Sequence, residues 1–151
     1  MKELTNMENR TGFPANALRL CIDRKDEDIH GRLYCMAGEE AVRFDSFITL
    51  FMLGEEIFDY LHVPQAYQQK RSFREVEGYL DSIDWTAWEE PLKIYERHGQ
   101  LATYDIVVQT RKKTSWQGLL KNEEGSVLAT FGSDLELLHL LEENLSHMTV
   151  L

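Results

Sequence analysis

The sequence predicts an α+β fold made of duplicated β-β-β-α units related by pseudo-two-fold symmetry, with an antiparallel sheet and both helices packed on one of its faces. Three observations carry this. The set Gly31, Gly38, Phe44 and Ser46 recurs eighty-seven positions later as Gly118, Gly125, Phe131 and Ser133. Each set overlaps runs in which apolar and polar residues alternate, the period of a strand with one buried face. Each set also leads past its serine into apolar residues at helical spacing.

Residues 1–16 show no sustained periodicity and read as a loose arm that Phe13 and Pro14 can dock. In the first unit, residues 17–62, Leu18, Leu20 and Ile22 alternate with Arg19, Cys21 and Asp23. A turn over Arg24–Asp28 leads to a second strand, Ile29 to Met36, ending near Gly38, and a third, Ala41 to Phe44. Asp45 or Ser46 then caps a helix from Phe47 to Leu61 by accepting from a free backbone N–H. The second unit, residues 102–151, repeats the order. Tyr104, Ile106 and Val108 alternate with polar neighbours, Trp116–Lys121 and Val127–Phe131 follow as strands, and Ser133 with Glu136 forms a capping box. Leu135, Leu138, Leu141 and Leu145 are expected to form the buried helical face, widened by Leu137 and Leu140.

The connector, residues 63–101, is too long for a plain loop. Ser72 and Glu75 make another capping box before a short helix over Val76–Ile83, Trp85 and Trp88 pack on an edge, and Leu92–Arg97 reads as an extra strand. A single unit of this size buries too little to be stable alone, so residues 17–151 are expected to share one core.

Composition narrows the function classes. The chain carries 26 acidic and 16 basic residues, a formal net charge of −10, and this field repels phosphate backbones. No apolar run is long enough to cross a bilayer and the start lacks a secretory core, so the expectation is a cytoplasmic protein with no membrane partner. Cys21 and Cys35 fall in the first two strands and are expected to be reduced, half-buried thiols near each other across a hairpin. There is no nucleophile elbow, phosphate loop, dinucleotide fingerprint or paired-Cys metal spacing. His139, Glu143 and His147 recur every four residues on the last helix, but two helical ligands need further groups from elsewhere. Ser46 and Ser133 sit where caps are required. Cys35 and His30 are an odd number of residues apart on one strand and point to opposite faces. Neither a catalytic residue nor a cofactor or metal is expected.

Two stretches have room for recognition. Gln65, Tyr67, Lys70, Arg71 and Phe73 lie in a polar, aromatic, non-periodic segment between core elements, where binding residues tend to be placed. The alternative there is structural: Pro64 stops the helix and Phe73 staples the next one. Arg111, Lys112 and Lys113 form the densest basic run, followed by Trp116 and Gln117, a ring and an amide that can stack on a base and read its edge. The competing reading makes Trp116 a core residue in the place of Ile29, with Gly118 marking a bulge or a close backbone approach.

The segments VPQAYQQKRSF, TSWQG and FGSDLELLHLLEENL resemble an uncharacterised family of small proteins from anaerobic Gram-positive bacteria, which carry a Pro-Gln element leading to Arg-Ser-Phe, then Trp-Gln-Gly, then Phe-x-Ser-x-Leu-Glu-Leu. The resemblance spans most of the chain from Leu18 onward and implies no activity. Gly132 departs from it, standing where a basic residue is expected. More loosely, three strands and a helix with Trp in the middle strand are similar to the plant ethylene-response and integrase-arm DNA-binding domains, which would place a sheet face in a major groove. The expected function is a non-enzymatic cytoplasmic binding or adaptor protein with a protein partner, using its acidic surface or the 64–73 segment. The alternative is a nucleic-acid-associated protein using the 111–116 hairpin.

Overall fold

The structure, a computed structural model, describes residues 13–36, 41–64 and 91–149. The first alternating runs form β1 (Ala17–Lys25), β2 (Ile29–Tyr34) and β3 (Val42–Phe44), followed by helix α1 (Phe47–Leu61). Then come a helical turn, α2 (Pro91–Ile94), the strands β4 (Ala102–Thr110), β5 (Gln117–Asn122) and β6 (Val127–Phe131), and helix α3 (Asp134–Thr149). The six strands make one antiparallel sheet in the order β3-β2-β1-β4-β5-β6. β1 and β4 meet at its centre, with Arg19 opposite Asp105. No helix among the described residues is long and apolar enough to cross a membrane.

One face of the sheet presents Leu18, Leu20, Ile22, Ile106, Val108 and Leu120, and both long helices contribute to the same core through Leu50, Leu53, Ile57 and Phe58 of α1 and Leu137, Leu141 and Leu145 of α3. Each helix begins on a serine. Ser46 Oγ accepts from Thr49 N at 3.1 Å and Ser133 Oγ from Glu136 N at 3.1 Å. The Glu136 carboxylate reaches back to Gly132 N at 2.7 Å, one residue before the serine. A residue from the preceding hairpin satisfies the next N–H in both cases: Asp28 Oδ1 accepts from Phe47 N at 2.8 Å, and Ser115 Oγ from Asp134 N at 2.9 Å. Turn and helix start are thereby tied together without using a sheet hydrogen bond.

Gly31 and Gly118 occupy matching places in β2 and β5. A Cβ on either would overlap a carbonyl oxygen of the neighbouring strand, Cys21 in the first case and Val107 in the second. Gly118 therefore marks a close backbone approach, and the bulges lie in β1, between Ile22 and Arg24, in β4, between Val108 and Thr110, and in β6, at Leu128.

Several expectations are corrected. β1 is not half-exposed: Ala17 to Ile22 are all buried, because the second face is covered as well. Its cover is a smaller cluster of Phe13, Ala17, Cys21, Tyr34 and Ile94, so the N-terminal arm docks through Phe13. Residues 92–97 do not form a strand; Pro91 opens a short helical turn, closed by Glu96 N donating to Lys93 O and Arg97 N to Ile94 O. Leu135 is 60% exposed, and the fully buried face of α3 is Leu137, Leu141 and Leu145, rotated from the expected stripe. Gly38, the 76–83 helix, Trp85 and Trp88 lie outside the described residues.

Arg19 is a buried charge at the sheet centre, and all three of its guanidinium nitrogens are engaged. Nη1 donates to both Asp105 oxygens at 3.1 and 3.0 Å, Nη2 to Tyr95 O at 3.2 Å and Nε to Arg97 O at 3.2 Å. Removing one partner strands the other charge in a dry site. Asp105→Ala is expected to lower unfolding stability by about 3–5 kcal/mol, read as a shift in urea midpoint. The double change Arg19→Met with Asp105→Leu should recover only part of it, since the Tyr95 and Arg97 carbonyls lose their donor.

Candidate functional site

The hairpin between β4 and β5 gathers the expected residues Arg111, Lys112, Lys113, Trp116 and Gln117, but turns the two most distinctive inward. Trp116 is fully buried, with its ring centroid 4.6 Å from Phe51 and 5.5 Å from Phe58. Its indole lies so close to α1 that a Cβ on Gly54 would meet the ring. The indole N–H donates to Glu55 Oε2 at 2.5 Å. Trp116 is thus a core residue, as the packing reading expects.

Arg111 is 2% exposed and is held by three groups: Pro64 O at 2.7 Å, Asp59 Oδ1 at 2.9 Å and Glu55 Oε1 at 3.3 Å. A guanidinium fixed there is not presented to a phosphate. The Gln117 amide is absorbed by the hairpin, accepting from Thr110 Oγ1 at 2.6 Å and Lys112 N at 3.0 Å. Lys112 and Lys113 are the exposed basic residues of the turn, which bends through left-handed backbone at Lys113 and Thr114. Gln65, Tyr67, Lys70, Arg71 and Phe73 lie outside the described residues.

A second cluster, which no local motif signals, sits on the other face of the sheet. Asp23 of β1, Arg32 of β2 and Arg43 of β3 line a cleft of about 560 Å³, whose far wall is His98, Gly99 and Gln100. Arg32 grips the Asp23 carboxylate through Nε and Nη2, both at 2.9 Å, and also donates to Tyr34 Oη and His98 O at 2.9 Å. Asp23 Oδ1 accepts from Gln100 N at 3.0 Å. The guanidinium of Arg32, followed by the Gln100 N–H, holds the Asp23 carboxyl below the usual carboxylate range.

The wall is fixed from three sides. Leu101 N donates to Ile22 O at 2.8 Å, and Gly99 N to Thr103 Oγ1 at 2.9 Å. The His98 ring meets Glu123 Oε2 at 2.8 Å. Gly99 lies flush on β1, where a Cβ would meet Ile22 N and O at 2.5 Å. Arg43 is directly opposite Arg32 in the β2–β3 ladder. It is exposed and makes no hydrogen bond or ion pair among the described residues. Two like charges in one cross-strand pair oppose pairing; Asp23 hydrogen-bonds Arg32 and acts on Arg43 only through space.

Other candidates disperse. Cys21 and Cys35 are both buried but belong to cores on opposite faces of the sheet, so they do not meet across the hairpin. Burial pushes the Cys21 thiol up to about 11, which disfavours the reactive thiolate. His30 bonds Asp26 Oδ1 at 2.9 Å, on the face away from Cys35. His139 and Glu143 are exposed, and no group of three metal-ligating side chains occurs among the described residues.

Burial raises the Glu55 carboxyl above its ordinary value, opposed by the Trp116 N–H and then by the Arg111 charge. Between the unfolded and the raised folded pKa, the folded state binds more protons, so stability from this group falls as pH rises through that window. Arg111→Ala removes an opposing influence and widens the window. The variant is expected to lose about 2–3 kcal/mol at pH 8, less than a fully buried pair because both carboxylates keep some hydration. The loss should shrink toward pH 5, as read from urea unfolding at both pH values.

No protein-family model, curated protein or solved structure matches the chain.

Proposed function

We propose that this chain is a non-enzymatic cytoplasmic binding or adaptor protein, built from two copies of a β-β-β-α unit, and that its cleft receives an acidic group from a partner protein. The observation that carries this is the Arg32–Arg43 cross-strand pair, in which Asp23 occupies one guanidinium and leaves the other facing solvent. A carboxylate entering beside Arg43 would relieve the repulsion and gain a charge-assisted bond. The cleft's charged groups are otherwise committed to holding its shape, which suits recognition better than turnover.

Duplication is supported by interactions that recur at a constant offset. Asp28 with Phe47 N and Ser115 with Asp134 N are eighty-seven residues apart, as are Ser46 with Thr49 N and Ser133 with Glu136 N. In β1 and β4 the offset is eighty-six, and it matches the two bulges and brings Arg19 opposite its own counterpart, Asp105. The pseudo-two-fold axis then passes through that pair. The cleft breaks the symmetry. By the same offsets, the places of Asp23, Arg32 and Arg43 are taken in the second half by Gln109, Leu119 and Thr130. A scaffold residue serves both halves; these three serve one.

An acetylated tetraglutamate peptide is the probe. It is expected to bind saturably at low salt, followed by chemical-shift changes at the Arg43 side chain and the 98–100 amides. Arg43→Ala should weaken binding by about tenfold or more, as loss of a charged hydrogen bond would, while Lys121→Ala leaves it unchanged. Equal binding by wild type and Arg43→Ala would refute the proposal.

A further inference from the structure

We infer that two copies of this chain associate through β6, edge to edge and antiparallel, so that the sheet continues across a two-fold axis. In the strand order β3-β2-β1-β4-β5-β6, β6 pairs only with β5 among the described residues and offers its other row of backbone N–H and C=O groups. Val127 and Leu128 on this strand are 54% and 40% exposed, and Thr130 is exposed beside them.

Charge selects the occupant. From Gly125 to Ser133 there is no ionisable side chain, in a chain of net charge −10. Two copies of such a chain repel each other over most surfaces, and this neutral edge is where they approach at least cost. The strand lacks the Lys, Pro or inward charge that commonly blunts an edge. The register shift between Leu120 and Lys121 displaces one residue near Leu128, but the ladder is regular from Ala129 to Phe131. The other edge is blunted: β3 is three residues long and carries Arg43. An antiparallel strand is complementary to its own copy, which is what an isologous two-fold contact requires. This edge lies at the opposite end of the sheet from the peptide cleft, so either proposal can fail without the other.

Sedimentation equilibrium of the full chain is expected to show a species of twice the 17.6 kDa chain mass that dissociates on dilution. Val127→Glu with Thr130→Glu brings like charges together at the axis and should weaken association by about tenfold or more. The matching Lys variant should also be monomeric, and mixing the two should restore a mixed dimer. Should the double variants fail to fold, Thr130→Glu alone, at an exposed position, carries the test. A wild-type chain that stays monomeric at its highest soluble concentration overturns the proposal, as does a dimer unaffected by the Glu changes.

Discussion

The buried contact between Arg19 and Asp105 organises the centre of this molecule. β1 and β4 are joined there, and a charge in the middle of a sheet is tolerable only when it is paired and each of its nitrogens is hydrogen-bonded. Asp105 supplies two acceptors and the carbonyls of Tyr95 and Arg97 supply the others. The segment after α2 is therefore held on the second face by the charge it satisfies. Once residues 95 and 97 are fixed, His98, Gly99 and Gln100 arrive at the end of β1, where Asp23 and Arg32 receive them. The cleft is a consequence of solving the desolvation problem at Arg19.

Local chemistry made most of the fold legible. Alternation located the strands, and serines with a following free N–H located both helix starts within a residue or two. What failed did so because the deciding neighbour is remote in sequence. Arg19 and Cys21 look like part of a solvent face, yet both are buried, Cys21 in the cluster with Phe13 and Ile94. Leu135 fits the helical stripe, yet lies in the first turn of α3, outside the face that reaches the sheet. Leu92–Arg97 has strand-like composition, but Pro91 and the requirement for carbonyls at Arg19 favour a tight turn.

The site was less legible for the same reason. The conspicuous residues, Arg111 and Trp116, are conspicuous because they bridge elements: α1 needs Gly54 to admit the indole, and Glu55 serves both the indole and the guanidinium. The cleft residues carry no local signature, since Asp23, Arg32, Arg43 and Gln100 meet only after the strands and the connector assemble. If the halves are copies, a usable signal lies at matching offsets, where charged Asp23, Arg32 and Arg43 correspond to uncharged Gln109, Leu119 and Thr130.

One fold can hold two kinds of surface when its halves differ in charge. If the halves are copies, their sheet edges began as equivalent, and an equal pair of sticky edges leads to open-ended association. Charge on β2 and β3 makes one edge, already short, polar as well; the positions at the same offset on β5 and β6, Leu119 and Thr130, leave the other neutral. On the two proposals above, the asymmetry would limit pairing to one edge, closing as a two-fold contact, and leave the opposite end of the sheet for a ligand. If the halves are copies, Arg19 and Asp105 have diverged at the axis itself: identical residues there would set like charges face to face, and opposite ones turn the least tolerable position in the sheet into its central clamp.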